Sequence, residues 1–404
     1  MVNASSGHKV FHRGAGAPEG RPDPPGARVR RNSRFIDCEF STRTMPLKPS
    51  IHWLFAFIPI TLVLEHMHAS PPLVFFSAAL SIVPIAALIV HSTEHLATHT
   101  GDAIGGLLNA TFGNAPELII AVVALRSGLV DLVRGSLVGA IFANILLATG
   151  LAFLLGGLRH REQLFSASAT RMYSSMMFVA VVSLAIPSAI GRMTTADGAP
   201  LAISGLHLGA AAILLGAYVL YLVFMLKTHP DVFKPEGGGA AEAHAHGPAW
   251  SVPRALGTLV AASVGAAFVS EILVGAAEGT GEALGMSQAF IGMIFLAIVG
   301  GAAESGSAIA MGRRNRMDLA VGIALGSCIQ IALFVAPVLV FASYFIGPQP
   351  FDLAFGKGQI LALFVAVLIA AVVANDGRSN WYKGVQLVTV YAMTALALYL
   401  VPGG

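Results

Sequence analysis

Two glutamates, Glu117 and Glu304, stand inside stretches of chain that are otherwise almost free of charge. A carboxylate at the centre of a bilayer costs roughly 2.5–3.5 kcal/mol on insertion scales, so such residues mark functional sites by default. Glu117 belongs to the run Gly113-Asn114-Ala115-Pro116-Glu117-Leu118-Ile119-Ile120-Ala121. Pro116 removes a helix hydrogen bond, and Gly113 loosens the turn before it. Backbone carbonyls freed at membrane depth are tolerated only when buried in protein or facing a cavity. Those carbonyls, the Asn114 amide and the Glu117 carboxylate are hard oxygen donors, and Ca2+ takes six to eight such ligands. The second run, Gly300-Gly301-Ala302-Ala303-Glu304-Ser305-Gly306-Ser307, again sets one carboxylate beside flexible backbone. The alternative for each acid is a protonated glutamate, hydrogen-bonded between helices and carrying no ion.

Each glutamate run is followed by an apolar stretch with small and amide residues. Ser327 and Gln330 lie three apart, on one helix face. Gly139, Ala140, Ala143 and Asn144 occupy the corresponding stretch of the first half. Close helix packing with interhelical hydrogen bonds is the competing explanation for Gln330 and Asn144. Glu94, Glu271 and Glu278 are candidates for a cation-attracting vestibule, or for plain solvated acids; His95 and His99 follow Glu94, and Glu282 follows Glu278. Glu65-His66-Met67-His68 reads as an interfacial segment.

The elements that must hold these residues follow from composition. Apolar residues make up 55% of the 404 and charged residues 11%, against roughly 25% charged in a soluble domain. The apolar residues fall in blocks of about 20, the length of a helix that crosses about 30 Å of hydrocarbon. The alternating ten-residue segments of a membrane β-barrel are absent. The expectation is an all-α polytopic membrane protein of about eleven spans, near 51–69, 73–92, 103–125, 135–156, 170–190, 203–226, 255–276, 288–311, 318–346, 357–374 and 384–402.

The chain also repeats. A shift of 187 residues takes Gly105 to Gly292, Gly113 to Gly300, Glu117 to Glu304, Asp131 to Asp318 and Gly139 to Gly326. Acidic residues are rare here, so matching two of them carries more than matching glycines. An odd number of spans per copy turns two serial copies over with respect to each other, which is the inverted repeat of secondary transporters, whose sites lie at the repeat interface. The expected organisation is a basic tail at 1–50, an extra first helix at 51–72, a first five-helix repeat at 73–226, a linker at 227–254 and a second five-helix repeat at 255–404.

The tail at 1–50 holds nine of the 24 basic residues, the turn-forming run Pro22-Asp23-Pro24-Pro25-Gly26 and no apolar periodicity, so it reads as disordered. A start at Met45 is an alternative for it; a targeting peptide or a nucleic-acid arm fits less well. The Gly-rich linker carries His244 and His246, and two histidines do not make a metal site. Of the basic residues beyond the tail, eleven fall in loops on one side and four on the other, which by the positive-inside rule puts the N-terminus in the cytoplasm. The two cysteines, Cys38 and Cys328, give no disulfide framework.

At these residues the sequence resembles the CAX family of calcium/proton exchangers, within the cation/Ca2+ exchanger superfamily. The resemblance runs from about residue 50 to the end. It is carried by Gly-Gly-Leu-Leu-Asn-Ala-Thr-Phe-Gly-Asn-Ala-Pro-Glu-Leu (105–118), Tyr-Leu-Val-Phe-Met-Leu-Lys-Thr-His (221–229), Val-Ser-Glu-Ile-Leu-Val-Gly (269–275) and Asn-Arg-Met-Asp-Leu-Ala-Val-Gly-Ile-Ala-Leu-Gly-Ser (315–327). The resemblance implies that the two motifs cross at the membrane centre, that Glu117 and Glu304 bind the ion, and that Asn114, Ser327 and Gln330 assist. It also implies one extra helix plus five and five. The family's second motif reads Gly-Asn-Ala-Ala-Glu-His; here Gly301 replaces the asparagine and Ser305 the histidine. The lost histidine is a titratable group tied in the family to gating and proton coupling.

The expected function is a Ca2+/H+ antiporter, not an enzyme, that exports calcium by alternating access. One Ca2+ neutralises two glutamates, and so do two protons, whereas the empty ionised site is costly. Glu117 and Glu304 would bind both kinds of cargo, with Gly113, Gly300, Asn114, Ser327 and Gln330 as further metal contacts. The alternatives are Na+- or K+-coupled exchange and, more remotely, an intramembrane metal-dependent hydrolase, which lacks a His-Glu-x-x-His or paired-Asp motif, or a structural scaffold. No cofactor is expected beyond Ca2+ as cargo. The partners are Ca2+, H+ and the lipid bilayer, not nucleic acid. A homo-oligomer is compatible with the sequence, and the compartment is the cell (inner) membrane if the source is prokaryotic.

Overall fold

The computed structural model describes residues 51–100, 102–190, 204–233 and 250–400. The expected tail at 1–50 and the linker histidines His244 and His246 lie outside the described residues.

In chain order the helices are α1 (Trp53–His66), α2 (Pro71–Thr100), α3 (Asp102–Phe112), α4 (Ala115–Arg126), α5 (Val130–His160), α6 (Ala167–Ile190) and α7 (Gly205–Thr228). After the linker come α8 (Val252–Leu284), α9 (Gln288–Gly300), α10 (Ala302–Arg313), α11 (Met317–Ile346), α12 (Lys357–Ala374) and α13 (Trp381–Leu400). Eight of these are long and apolar enough to cross a membrane alone. A ninth span is the pair α9 and α10, bent by 59° at its break. The short α1 and the pair α3 and α4 occupy the first and third expected spans, which agrees with a count of about eleven.

The repeat is visible in the elements. Shifted by 187 residues, both ends of α4 fall on both ends of α10, and the start of α5 falls on the start of α11. Even the irregularities match: α5 widens into a π-turn over Ala143–Ala148 and α11 into one over Ile331–Val335.

Two expected boundaries are corrected. Glu94, His95 and His99 do not follow the second span; α2 continues to Thr100 and carries them. Similarly, α8 runs on to Leu284, so Glu278 and Glu282 lie on its last turns. In both places polar residues end the apolar run, but nothing in them stops a helix.

Apolar side chains divide between core and exterior. Phe75, Phe142, Phe153 and Leu125 are fully buried, while Ile213 and Leu220 on α7 and Leu361 and Val372 on α12 are exposed. Exposed apolar residues of this kind on long apolar helices belong in lipid.

Two close approaches lock the halves together. A methyl group at Gly139 of α5 would sit 2.1 Å from the Met293 carbonyl of α9, and one at Gly292 would sit 2.4 Å from the Leu132 carbonyl. Only glycine lets two helix backbones meet this closely. Farther along, β1 (Glu162–Leu164) pairs antiparallel with β2 (Arg378–Asn380), which ties the end of α5 to the start of α13.

Candidate functional site

The breaks between α3 and α4 and between α9 and α10 make the site. Pro116 has no N–H to give the Phe112 carbonyl, and proline is favoured in the first turn of a new helix. The chain therefore stops at Phe112, turns through Gly113 and Asn114, and restarts at Ala115. The second break turns at Gly301 and restarts at Ala302 without a proline. Both glutamates are the third residue of the restarted helix, in its acidic first turn. There the unpaired backbone N–H groups and the positive end of the helix dipole favour a carboxylate.

Each glutamate lies against the other repeat's glycine. A methyl group at Gly300 would be 3.0 Å from Glu117 Cγ, and one at Gly301 3.6 Å from Glu117 Oε1. Reciprocally, a methyl group at Gly113 would be 3.5 Å from Glu304 Oε1 and 3.7 Å from Gln330 Oε1. The two motifs thus cross with their carboxylates directed at each other's break.

Around them runs one polar network. Asn114 Nδ2 donates to Gln330 Oε1 at 2.6 Å. Asn144 Nδ2 donates to Ser327 Oγ at 3.1 Å, and Ser305 Oγ donates to Asn144 Oδ1 at 3.3 Å. Ser327 Oγ lies 2.8 Å from Asn114 Oδ1 and in short contact with Glu304 Oε2. A hydroxyl has one proton to give, and Asn114 Oδ1 can only accept. The network is therefore complete when Ser327 donates to Asn114 and a protonated Glu304 donates to Ser327. Ionising Glu304 forces a choice between those two contacts. Glu117 contrasts with this: both its oxygens are buried and have no hydrogen-bond partner among the described residues.

A cavity of about 800 Å3 reaches this network from one face. Glu304, Gly113, Ser327 and Gln330 line its floor, and His91, Glu94 and Arg314 stand along its walls. Glu117 is not among its lining residues. One carboxylate lines the cavity, and its equally buried partner does not.

The Sodium/calcium exchanger protein family matches residues 70–227 and 254–400, most of the chain. The chain belongs to that family. The exchanger is 38% identical to a Ca(2+)/H(+) antiporter of Aphanothece halophytica over 359 residues, 86% of this chain and 96% of that protein. It is 38% identical to the Ca(2+)/H(+) antiporter ChaA of Bacillus subtilis strain 168, over 85% of this chain and 96% of that one. The solved structure of native YfkE superposes with a TM-score of 0.74 at 36% identity, covering 87% of this chain and all of that chain. The resemblance to calcium/proton exchangers read from residues 105–118 and 315–327 agrees with these findings.

Of the residues singled out in the exchanger's sequence, Gly113, Asn114, Glu117, Gly300, Glu304, Ser327 and Gln330 come together at the crossing. Glu94 lines the cavity. Glu271 and Glu278 do not: Glu271 is exposed and lies 3.8 Å from Arg126, and Glu278 is exposed near the end of α8. Asn144 and Ser305 are members of the network that residue type left among packing or replacement positions. Asn144 carried one usable signal, since the 187-residue shift sets it next to the position of Gln330 in the other repeat. Among the described residues no group of three or more His, Cys, Asp or Glu could hold a metal ion. A cation at the crossing would therefore draw on amide and hydroxyl oxygens beside the two carboxylates.

Proposed function

We propose that the exchanger is a Ca2+/H+ antiporter in which Glu117 and Glu304 bind either one Ca2+ or two protons. One observation carries this reading: two carboxylates from repeat-related helix starts face each other across a crossing, with carboxamide and hydroxyl oxygens around them. Ca2+ prefers such oxygen donors in flexible geometry. The relatives whose names record Ca2+/H+ antiport support the choice of cargo over Na+- or K+-coupled exchange.

The coupling is electrostatic. The site is neutral with one Ca2+ or with two protons, and doubly negative when empty. Burying two unpaired charges costs several kcal/mol each, so the empty site resists passing between the two faces and the loaded forms do not. The repeats at 73–226 and 255–404 each supply one carboxylate. With the positive-inside orientation, the cavity opens to the cytoplasm and proton entry drives Ca2+ out of the cell. The test is uptake of labelled Ca2+ into inside-out vesicles with an acidic lumen, with and without Na+. Uptake is expected without Na+ and is expected to collapse when the pH gradient is dissipated. Uptake that requires a Na+ gradient and ignores pH overturns the reading.

Stoichiometry follows from the same site. Three protons per Ca2+ require a third titratable carrier, and Ser305, which donates to Asn144, cannot titrate near neutral pH. A histidine there would have an ordinary pKa of about 6.5. The exchanger is expected to run close to two protons per Ca2+, with a flux that ignores membrane voltage. Ser305→His is expected to make it voltage-sensitive. The measurement is the reversal potential of Ca2+ flux in proteoliposomes clamped with a K+ ionophore. A voltage-dependent flux in the unmodified protein shows that the third carrier lies elsewhere.

A further inference from the structure

One irregular turn of α5 brings Asn144 to the crossing, the π-turn at Ala143–Ala148. The Asn144 carboxamide is buried and bridges to the other repeat, donating to Ser327 and accepting from Ser305. Thr149, the residue after the turn, closes it. The Thr149 backbone N–H reaches the Asn144 carbonyl, five residues back. Its hydroxyl donates to that same carbonyl at 2.9 Å. A helical threonine ordinarily returns its hydroxyl to a carbonyl three or four residues back. Thr93, Thr111, Thr170 and Thr280 of this chain each bond the fourth. Thr149 is buried and has its hydroxyl on the fifth.

We propose, on the two-carboxylate reading of the site, that Thr149 is a positioning residue whose hydroxyl locks the π-turn and so holds Asn144 at the crossing. A π-turn carries one residue more than the α-turn it replaces, which rotates its two flanks by about 100° relative to each other. Both flanks of α5 are fixed by close contacts. Before the turn, Gly139 lies against the Met293 carbonyl of α9. After it, a methyl group at Gly150 would meet Leu387 at 3.0 Å, and one at Gly157 the Trp381 backbone nitrogen at 2.1 Å, both on α13. Neither flank can rotate against its neighbour. If the turn tightens, the residues between must move, and Asn144 is the polar one among them.

The second repeat reaches the same geometry by another route. Shifted by 187 residues, Thr149 falls on Ala336 and Asn144 on Ile331. The Ala336 N–H bonds the Ile331 carbonyl, the matching five-residue bond. Ala336 has no hydroxyl, but Pro337 follows it. Proline offers no N–H, and its ring clashes with the carbonyl four residues back, so a regular α-ladder cannot form there. One π-turn is imposed by a ring and the other is held by a hydroxyl. The first can therefore be loosened by removing a single oxygen atom, with the backbone bond left in place.

The test is Ca2+ binding to the full-length purified protein by calorimetry, in Thr149→Val and Thr149→Ser. Valine keeps the shape and loses the hydroxyl; serine keeps the hydroxyl. The Asn144 carbonyl retains its N–H partner in both, so both are expected to fold. Thr149→Val is expected to weaken Ca2+ binding by about fivefold, the net worth of one hydrogen bond, and Thr149→Ser to stay within about twofold of the parent. In an Asn144→Ala background, Thr149→Val is expected to cost nothing further, because the two residues act as a unit. Parent-like affinity in Thr149→Val overturns the proposal. So does a loss that serine does not restore, which assigns the effect to packing. A loss that persists undiminished without the Asn144 side chain assigns it to the scaffold and overturns the proposal too. A parent that binds no Ca2+ instead overturns the two-carboxylate reading, and this role of Thr149 with it.

Discussion

Glu117→Gln and Glu304→Gln are each expected to abolish Ca2+/H+ exchange while leaving the protein folded. Glutamine keeps the volume and loses both the charge and the proton site. With one carboxylate gone, bound Ca2+ leaves an uncompensated positive charge at a crossing where both acids are almost wholly buried. Removing one partner of a buried charge pair costs roughly 3–5 kcal/mol, which is about a hundredfold to a few thousandfold in affinity at 1.4 kcal/mol per tenfold. Neither variant should lose much stability. Both Glu117 oxygens are buried without partners among the described residues, so an amide there gives up no hydrogen bond. Glu304 is wired to Ser327, and an amide there can still donate to that hydroxyl. The measurements are Ca2+ flux in proteoliposomes and the shift of the unfolding midpoint on adding Ca2+, which binding raises. Flux above about a tenth of the parent rate in both variants, a loss of less than 1.4 kcal/mol, ends the two-carboxylate mechanism.

Gly326→Ala is expected to fold at least as well as the parent and to transport at least about fivefold more slowly. The reason is an asymmetry between matched glycines. At Gly139 an added methyl group would meet the Met293 carbonyl at 2.1 Å, and at Gly135 the Ala289 carbonyl at 2.6 Å. The repeat equivalents, Gly326 and Gly322, line the cavity; among the described residues nothing lies within 4 Å of a methyl group at Gly326. So α5 is clamped on α9, while α11 stands away from its counterpart α3. Alternating access through an inverted repeat exchanges these two arrangements. A methyl at Gly326 is harmless in the described state, and alanine is favoured over glycine in a helix by about 1 kcal/mol. In the exchanged state it meets the carbonyl of residue 106, at a cost of about 1–3 kcal/mol for overpacking. The check is transport rate against unfolding midpoint. Parent-like flux in Gly326→Ala shows that α11 never closes on α3.

The sequence made the chemistry plainer than the geometry. Glu117 and Glu304 were legible because a charge is conspicuous where almost nothing else is polar. The breaks were legible because proline and paired glycines interrupt helices for local reasons that need no tertiary knowledge. The matched acids also made the repeat visible, and the matched ends of α4 and α10 follow from it. What stayed hidden depends on which side chains meet. Asn144 could equally bond a neighbouring helix or sit at the crossing, and only the approach of α5 to α11 decides it. The separation of Glu271 and Glu278 from the cavity was hidden likewise, since an acid near a span end looks the same on either face. Helix ends such as His99 were missed because hydropathy falls where lipid stops, not where the helix does.

The one-sided cavity also has a bearing on kinetics. The 187-residue shift carries the residues along its walls onto a second set: Arg314 onto Ser127, His91 onto Glu278 and Glu94 onto Gly281. These are the residues that would frame an opening on the opposite face. The two doorways are then chemically unlike: the first bears a guanidinium, an imidazole and the carboxylates of Glu94 and Asp318, the second a hydroxyl and the carboxylates of Glu278 and Asp131. Charge at the mouth of a low-dielectric funnel sets the local concentration of an approaching ion, and the effect is steepest for a doubly charged one. A carrier of this kind has no thermodynamic preference for direction, but unlike doorways let its two capture rates differ. Any such difference is written at the positions where the two halves have diverged.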